Sequence, residues 1–231
     1  MSLSSNQIAA LRALSSPTVA NAIETFKVRP REAGNLSAEV HTLFPDLGPV
    51  VGYAVTAFIR AERPAPEGKR ASVFAWWDYI QTIPAPRIVV VHDLDQPQGQ
   101  GAFWGEVQAN IHKALGCVGV VTDGSVRDLN EVRGLGFLFC AAHVSVSHAN
   151  VHLVDFGIPV KVGGVWVNAG DLLHSDHHGV VVIPNEIVER IPDAAERVAA
   201  DEQRIIQACQ AEGITVERLK AVYKSVRPDA Y

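Results

Sequence analysis

The sequence predicts a mixed α/β fold, and three observations predict it. Between residues 88 and 141, short apolar runs alternate with segments whose apolar residues recur at helical spacing. The later apolar runs, near residues 159–167 and 180–183, read as hairpin-like strands. The chain then finishes in helical pattern. At 231 residues with 48% hydrophobic composition it can bury a core without staples. One domain over residues 1–231 is expected, with an N-terminal helical segment at 1–28, a core at 50–184 and C-terminal helices at 185–225.

Taking the elements in order, Ser15 and Ser16 before Pro17 form a helix start, because serine caps free N–H groups and proline in the first turn sacrifices no hydrogen bond. Residues 18–26 are the helix that follows. Residues 29–49 show no sustained period and read as loop with short strands. The run VVGYAVTAFIR, residues 50–60, is rich in β-branched and aromatic residues and predicts a strand. Pro64, Pro66 and Gly68 break the chain. Val73, Trp76, Trp77 and Ile80 then mark a helix ended by Pro84 and Pro86, with the tryptophans as core. Residues 88–91 form a short apolar strand, followed by a polar loop. Val107, Ile111, Ala114 and Leu115 mark one face of a helix closed by Gly116. Residues 117–122 are a buried strand, and Asp123-Gly124 signals a turn. A short helix near residues 129–132 and a strand near 137–141 complete the alternating unit.

Charge and cysteine usage narrow the partners. Twenty Lys and Arg against 25 Asp and Glu give a net charge of -5, with no basic run to neutralise a phosphate backbone, so nucleic acid is not an expected partner. Cys117, Cys140 and Cys209 are odd in number, far apart and set in apolar segments, which excludes a disulfide framework and fits a reducing cytoplasm. The first residues lack a cationic start followed by a continuous apolar stretch, so neither a signal peptide nor a membrane anchor is expected.

The chemistry concentrates in GVVTDGSVRD, residues 119–128. A buried strand delivers a glycine-containing turn, and the turn presents Arg127 and Asp128 side by side at the strand's carboxyl end, where α/β sheets bind ligands. Arginine offers a planar fork for a carboxylate or an enolate oxygen, and aspartate a hard oxygen for magnesium or manganese. Taken alone, an Arg-Asp dipeptide is usually exposed or self-paired. A second cluster shifts that balance. Gly105-Glu106-Val107-Gln108 opens the preceding helix, where free backbone amides attract anions. The Val107 and Gln108 amides would hold a substrate carboxylate opposite Arg127. Glu106 alone would be an ordinary first-turn acid.

With those residues in hand, the segments WGEVQANIHKALGCVGVVTDGSVRD and GIPVKVGGVWVNAGDLLHSDHHGVVVIP resemble the RraA-like family, which contains 4-hydroxy-4-methyl-2-oxoglutarate aldolase, oxaloacetate decarboxylase and the regulator of ribonuclease E activity. The resemblance runs from about Thr18 to Gly213. It implies a swivelling β/β/α domain with N- and C-terminal helices, assembled as trimers or hexamers with active sites between subunits. It implies a metal-dependent lyase that releases pyruvate from a small 2-oxo acid, with Mg2+, or Mn2+, as cofactor. Arg127 would bind the oxo acid, Asp128 would ligate the metal directly, and Gly105, Glu106, Val107 and Gln108 would form the substrate loop. Glu106 would reach the metal through water, as would a glutamate lent by a neighbouring subunit; Glu202 is the candidate, with Asp201 and Glu196 close by. Asn21 stands where members of that family usually carry aspartate. The resemblance also leaves open a non-catalytic regulator of a ribonuclease and a related hydratase or isomerase.

Other signals carry less. Gly99, Gly101 and Gly105 follow GxGxxxG spacing, far from the preceding strand, which does not fit a dinucleotide loop. His174, His177 and His178, with Asp171 and Asp176, read as a polar connecting loop in preference to a zinc site. His143, His148 and His152 read as buried or interface histidines, and Ser145 and Ser147 lack the nucleophile-elbow context. Trp104 is expected to be a structural tryptophan near the substrate segment.

Overall fold

The computed structural model describes residues 2–227; Met1 and residues 228–231 of the expected domain lie outside the described residues. Two helices open the chain, α1 (Ser5–Arg12) and α2 (Ser16–Glu24). Ser15 caps α2 by accepting from the Thr18 amide at 3.3 Å, with Pro17 in the first turn, as the sequence predicts. A capping box between Ser4 and Gln7 starts α1. Within residues 29–49 lie β1 (His41–Thr42) and a 3-10 turn at Pro45–Leu47. The order then runs β2 (Val50–Arg60), α3 (Val73–Thr82), β3 (Arg87–Asp93), β4 (Ala102–Trp104), α4 (Glu106–Ala114), β5 (Cys117–Val126), α5 (Leu129–Leu135), β6 (Leu138–Val144), β7 (His152–Phe156), β8 (Val160–Val162), β9 (Val165–Val167), β10 (Leu172–Asp176), β11 (Gly179–Ile183), α6 (Ile191–Gln210) and α7 (Val216–Val226).

Strands β2, β3, β5 and β6 are consecutive parallel neighbours. Their connections α3, α4 and α5 all step across the sheet in one direction, and right-handed crossovers that do so lie on one face. Trp76 and Ile80 of α3, Ala109 of α4 and Val132 of α5 accordingly share a core with Val89, Val91, Val120 and Phe139. The alternate residues Ile88, Val90, Val121 and Leu138 point the other way, onto Val160, Val162 and Val167 of the β8–β9 hairpin. Burial on both faces is why these strands read as continuous apolar runs. Antiparallel strands complete the sheet: β10 on β2, β11 on β10, β7 on β2 and β1 on β6. Thr42 Oγ1 donates to the Asp176 carbonyl at 2.6 Å, which ties the edge strand β1 to the end of β10, beside the opposite edge strand β11, and nearly closes the sheet. Helices α1, α2 and α6 cover Val51, Tyr53, Leu172, Val181 and Ile183.

Three local expectations are corrected. Asp123-Gly124 is not a turn: β5 runs through it to Val126, and a bulge between Thr122 and Ser125 absorbs one extra residue against β6. The Asp123 carboxylate accepts the Asp93 amide at 2.8 Å, so a buried partner on β3 holds the dipeptide in the sheet. Helix α4 buries Ala109 and His112, whereas Val107 is exposed and Ile111 only half-buried, because the helix packs by a small residue and a hydrogen-bonded histidine. Finally, His174 belongs to β10, not to a loop; its polar neighbours mask the strand in the sequence.

Candidate active site

Arg127 and Asp128 follow β5 directly, at the carboxyl end of the parallel strands. The Arg127 amide donates to the Trp104 carbonyl at 2.9 Å, tying the residue to the end of β4. Asp128 sits in the left-handed region at φ 56°, an uncommon conformation for a non-glycine residue and one that concentrates at functional sites. That backbone swings its carboxylate back toward α4. Its Oδ2 accepts the Glu106 amide at 3.0 Å and lies 3.6 Å from Arg127 Nε, while each of the two side chains keeps 36% of its surface exposed. The Asp128 Oδ1 has no hydrogen-bond partner among the described residues. The amides of Val107 and Gln108, in the first turn of α4, have no intrahelical acceptor to reach.

Glycine at 105 is required by this approach. A Cβ there would overlap Asp128 Oδ2 and stand 3.1 Å from both Cγ and Nε of Arg127. Gly105, Val107, Gln108, Arg127 and Asp128 line one cavity of about 690 Å³. Its far wall comes from Arg70, His148 and His152, residues the sequence reading did not assign to a site. Among the described lining residues Asp128 supplies the one carboxylate, facing two arginines and two histidines. His152 is buried, whereas His143 and His148 are exposed in the single chain, so of the buried and interface alternatives only His152 takes the first. A run of apolar residues interrupted by three histidines was the available signal for His148 and His152; what it faced was not visible.

Buried polar groups fix the cavity from below. His112 accepts from Trp76 Nε1 at 2.9 Å through Nε2, and its Nδ1 is 2.8 Å from the Gln108 carbonyl, a donor–acceptor pair that sets the neutral tautomer. Burial pushes its pKa down to about 4. Asp93 accepts the Gly99 and Asp95 amides at 2.8 and 3.0 Å, and Ser125 Oγ donates to the Gly99 carbonyl, so the loop leading into β4 is anchored to two strand ends. Burial raises the Asp93 pKa, with Asp95 and Asp123 adding to the effect against the two amides. The hydrogen bond from His92 to Asp123 raises the His92 pKa against its burial. Trp104 is fully buried against His112 and Phe137 and is structural.

Two candidate residues lie apart from this cluster in the chain. Glu106 is exposed, and its side chain is outside the cavity lining. Glu202, on α6, accepts from Asn21 Nδ2 at 3.4 Å and Arg227 Nη2 at 3.1 Å and lines a second cavity of about 530 Å³ together with Asp201. Asparagine at 21 supplies the donor that an aspartate would lack.

The RraA-like family model, described as Aldolase/RraA, matches residues 16–182. This chain belongs to the RraA-like family. Within it, the chain is 31% identical over 103 residues to a Halalkalibacterium halodurans protein that carries the provisional name 4-hydroxy-4-methyl-2-oxoglutarate aldolase, covering 44% of this chain and 49% of that one. It is 28% identical over 153 residues to protein DlpA of Legionella pneumophila, covering 65% of this chain and 24% of DlpA. The matches therefore span between a quarter and a half of those relatives' own lengths. The crystal structure of Streptomyces coelicolor RraAS2, described as an unusual member of the RNase ES inhibitor RraA protein family, superposes with a TM-score of 0.68 at 24% identity, covering 88% of this chain and 96% of that one. That likeness establishes the RraA-like fold. Among the described residues, no helix is long and apolar enough to cross a membrane.

Proposed function

We propose that this RraA-like chain is a divalent-metal-dependent lyase that cleaves a C–C bond of a small 2-oxo acid and releases pyruvate, acting in the cytoplasm as a homotrimer or hexamer. The observation that carries the reading is the convergence of Arg127, Asp128 and the free amides of α4 on one cavity. The donor set fits a hard cation: Asp128 Oδ2 is held by the Glu106 amide, Oδ1 is left free, and magnesium binds through one or two carboxylates while keeping several waters. Bound there, Mg2+ or Mn2+ would supply Lewis-acid stabilisation of the negative charge left on the oxo acid.

The chain's own residues do the rest. The Arg127 guanidinium pairs with the substrate carboxylate and places positive charge where the enolate oxygen develops. The Val107 and Gln108 amides hold the same carboxylate from the helix side. In aldol cleavage the alcohol loses its proton, its carbon becomes a carbonyl, and the electron pair of the broken C–C bond passes to the enolate, which is protonated to pyruvate. A water positioned by Glu106, whose side chain stands at the opening turn of α4 outside the cavity lining, would take the alcohol proton. Oxaloacetate loses CO2 to give the same enolate without that deprotonation. Glu202 would join from a neighbouring subunit.

The test is pyruvate release from 4-hydroxy-4-methyl-2-oxoglutarate and from oxaloacetate, with Mg2+ or with EDTA. Turnover with Mg2+ that EDTA abolishes supports the reading. A folded protein with no turnover on either substrate overturns it, and if that protein binds ribonuclease E, a regulatory role replaces it.

A further inference from the structure

Away from the cavity, the tight turn between β10 and β11 brings together a set of side chains for which the lyase reading has no use. Asp176 closes β10, His177 and His178 form the turn, and Asp176 pairs with Gly179 across the hairpin. The two imidazole rings lie 3.8 Å apart between centroids, and one ligand atom from each of Asp176, His177 and His178 falls within 4.8 Å of the others. His177 and His178 form the polar connecting turn that the sequence suggests, but the acid beside them is an anchored strand residue.

Asp176 is 1% exposed although the turn beside it is open, whereas His178 keeps 47% of its side chain in solvent. Its carboxylate accepts the Ser16 amide and the His178 amide, each at 2.8 Å, and faces His178 Nδ1 at 3.2 and 3.3 Å. Among the described residues no Lys or Arg pairs with it. A buried carboxylate whose donors are two neutral amides and one imidazole favours an added cation. Two imidazoles with one carboxylate are a donor set for zinc and its first-row neighbours, not for magnesium.

We infer that Asp176, His177 and His178 form a transition-metal site, with zinc as its representative ion, that fastens the β10–β11 hairpin to the start of α2. The ion takes the place of the proton shared between His178 Nδ1 and the Asp176 carboxylate. Ligand bonds of about 2.0–2.1 Å set tetrahedral edges of about 3.3 Å, which the two exposed rings reach by rotating about their side-chain bonds while the buried carboxylate stays fixed. A fourth position remains on the solvent side. Because Asp176 also accepts the Ser16 amide, occupancy reinforces the junction at which Ser16 Oγ meets His174 Nδ1 at 2.9 Å.

The experiment is calorimetric titration of the full chain with zinc, under saturating Mg2+ so that Asp128 is occupied, together with the same titration of H177A/H178A and Asp128→Ala. One zinc per chain is expected in the wild type and in Asp128→Ala, and none in H177A/H178A. With zinc a hundredfold above its Kd, Tm should rise by roughly 5–10 °C in the wild type alone. Cobalt substitution should give visible absorption that the double variant lacks. Pyruvate release by H177A/H178A stays at the wild-type rate, so the two sites are separable. No zinc uptake by the wild type, or equal uptake by H177A/H178A, overturns the proposal.

Discussion

Replacing Gly105 by alanine puts a methyl group into the closest approach within the Arg127–Asp128 site. Gly105 has φ −156° and ψ −168°, an extended conformation that alanine adopts without strain, so the backbone itself is unaffected. The new Cβ would stand 3.1 Å from Arg127 Cγ and Nε and closer still to Asp128 Oδ2. Non-bonded heavy atoms settle at about 3.5–4.0 Å, so the carboxylate has to retreat by roughly 1 Å. The 3.0 Å hydrogen bond from the Glu106 amide then stretches to a length at which it no longer counts as one. A 1 Å misplacement of a catalytic group costs on the order of 10²-fold, or about 2.7 kcal/mol of transition-state stabilisation. Gly105→Ala should therefore lower kcat/KM for pyruvate release, read by coupling to NADH oxidation, about a hundredfold, with Tm within about 5 °C of wild type. Activity within threefold of wild type would refute the reasoning, because it would mean that the placement of Asp128 against α4 does not matter to turnover.

Other expectations follow from the same geometry. His112 has its pKa held at about 4, below the ordinary 6.5, so its contribution to stability is complete above pH 6.5 and is lost as pH falls from there toward 4. Unfolding by urea should show a loss of about 3 kcal/mol over that window that His112→Gln, which does not titrate, lacks. Arg127→Lys keeps the charge but loses the planar fork, and should raise KM for the oxo acid at least tenfold, measured by initial rates. If Glu202 serves the neighbouring subunit's site, Asp128→Ala and Glu202→Gln are each inactive alone, and mixing the two chains under conditions of subunit exchange restores part of the activity. No recovery in verified mixed oligomers would remove Glu202 from the site.

Local signals made part of this fold readable from sequence. The eleven residues of β2 and the capped start of α2 are specified by neighbours within a few positions, and their bounds follow from those neighbours. β10 was invisible because LLHSD looks polar: His174 and Asp176 are satisfied by Leu11, Leu14 and Ser16 from the other end of the chain. The Asp123-Gly124 dipeptide misled for a related reason, since the partners that keep it in the sheet lie on β3. In the cavity, Arg127 and Asp128 were legible because an apolar run leads into a glycine-containing dipeptide just before them, a local cue for a strand's carboxyl end even though the strand itself continues to Val126. The start of α4 was legible because free amides open a helix there. Arg70, His148 and His152 come from other segments, and only folding shows that they face the same space.

The most direct test of the central proposal is the binding of oxalate, a planar dianion shaped like the pyruvate enolate, measured by calorimetry with and without Mg2+ on the wild type and on Asp128→Ala. The proposal predicts tight binding by the wild type in Mg2+ alone, lost in EDTA and lost in Asp128→Ala while the variant remains folded. Binding of equal strength without the metal, or unchanged by the loss of Asp128, would contradict it.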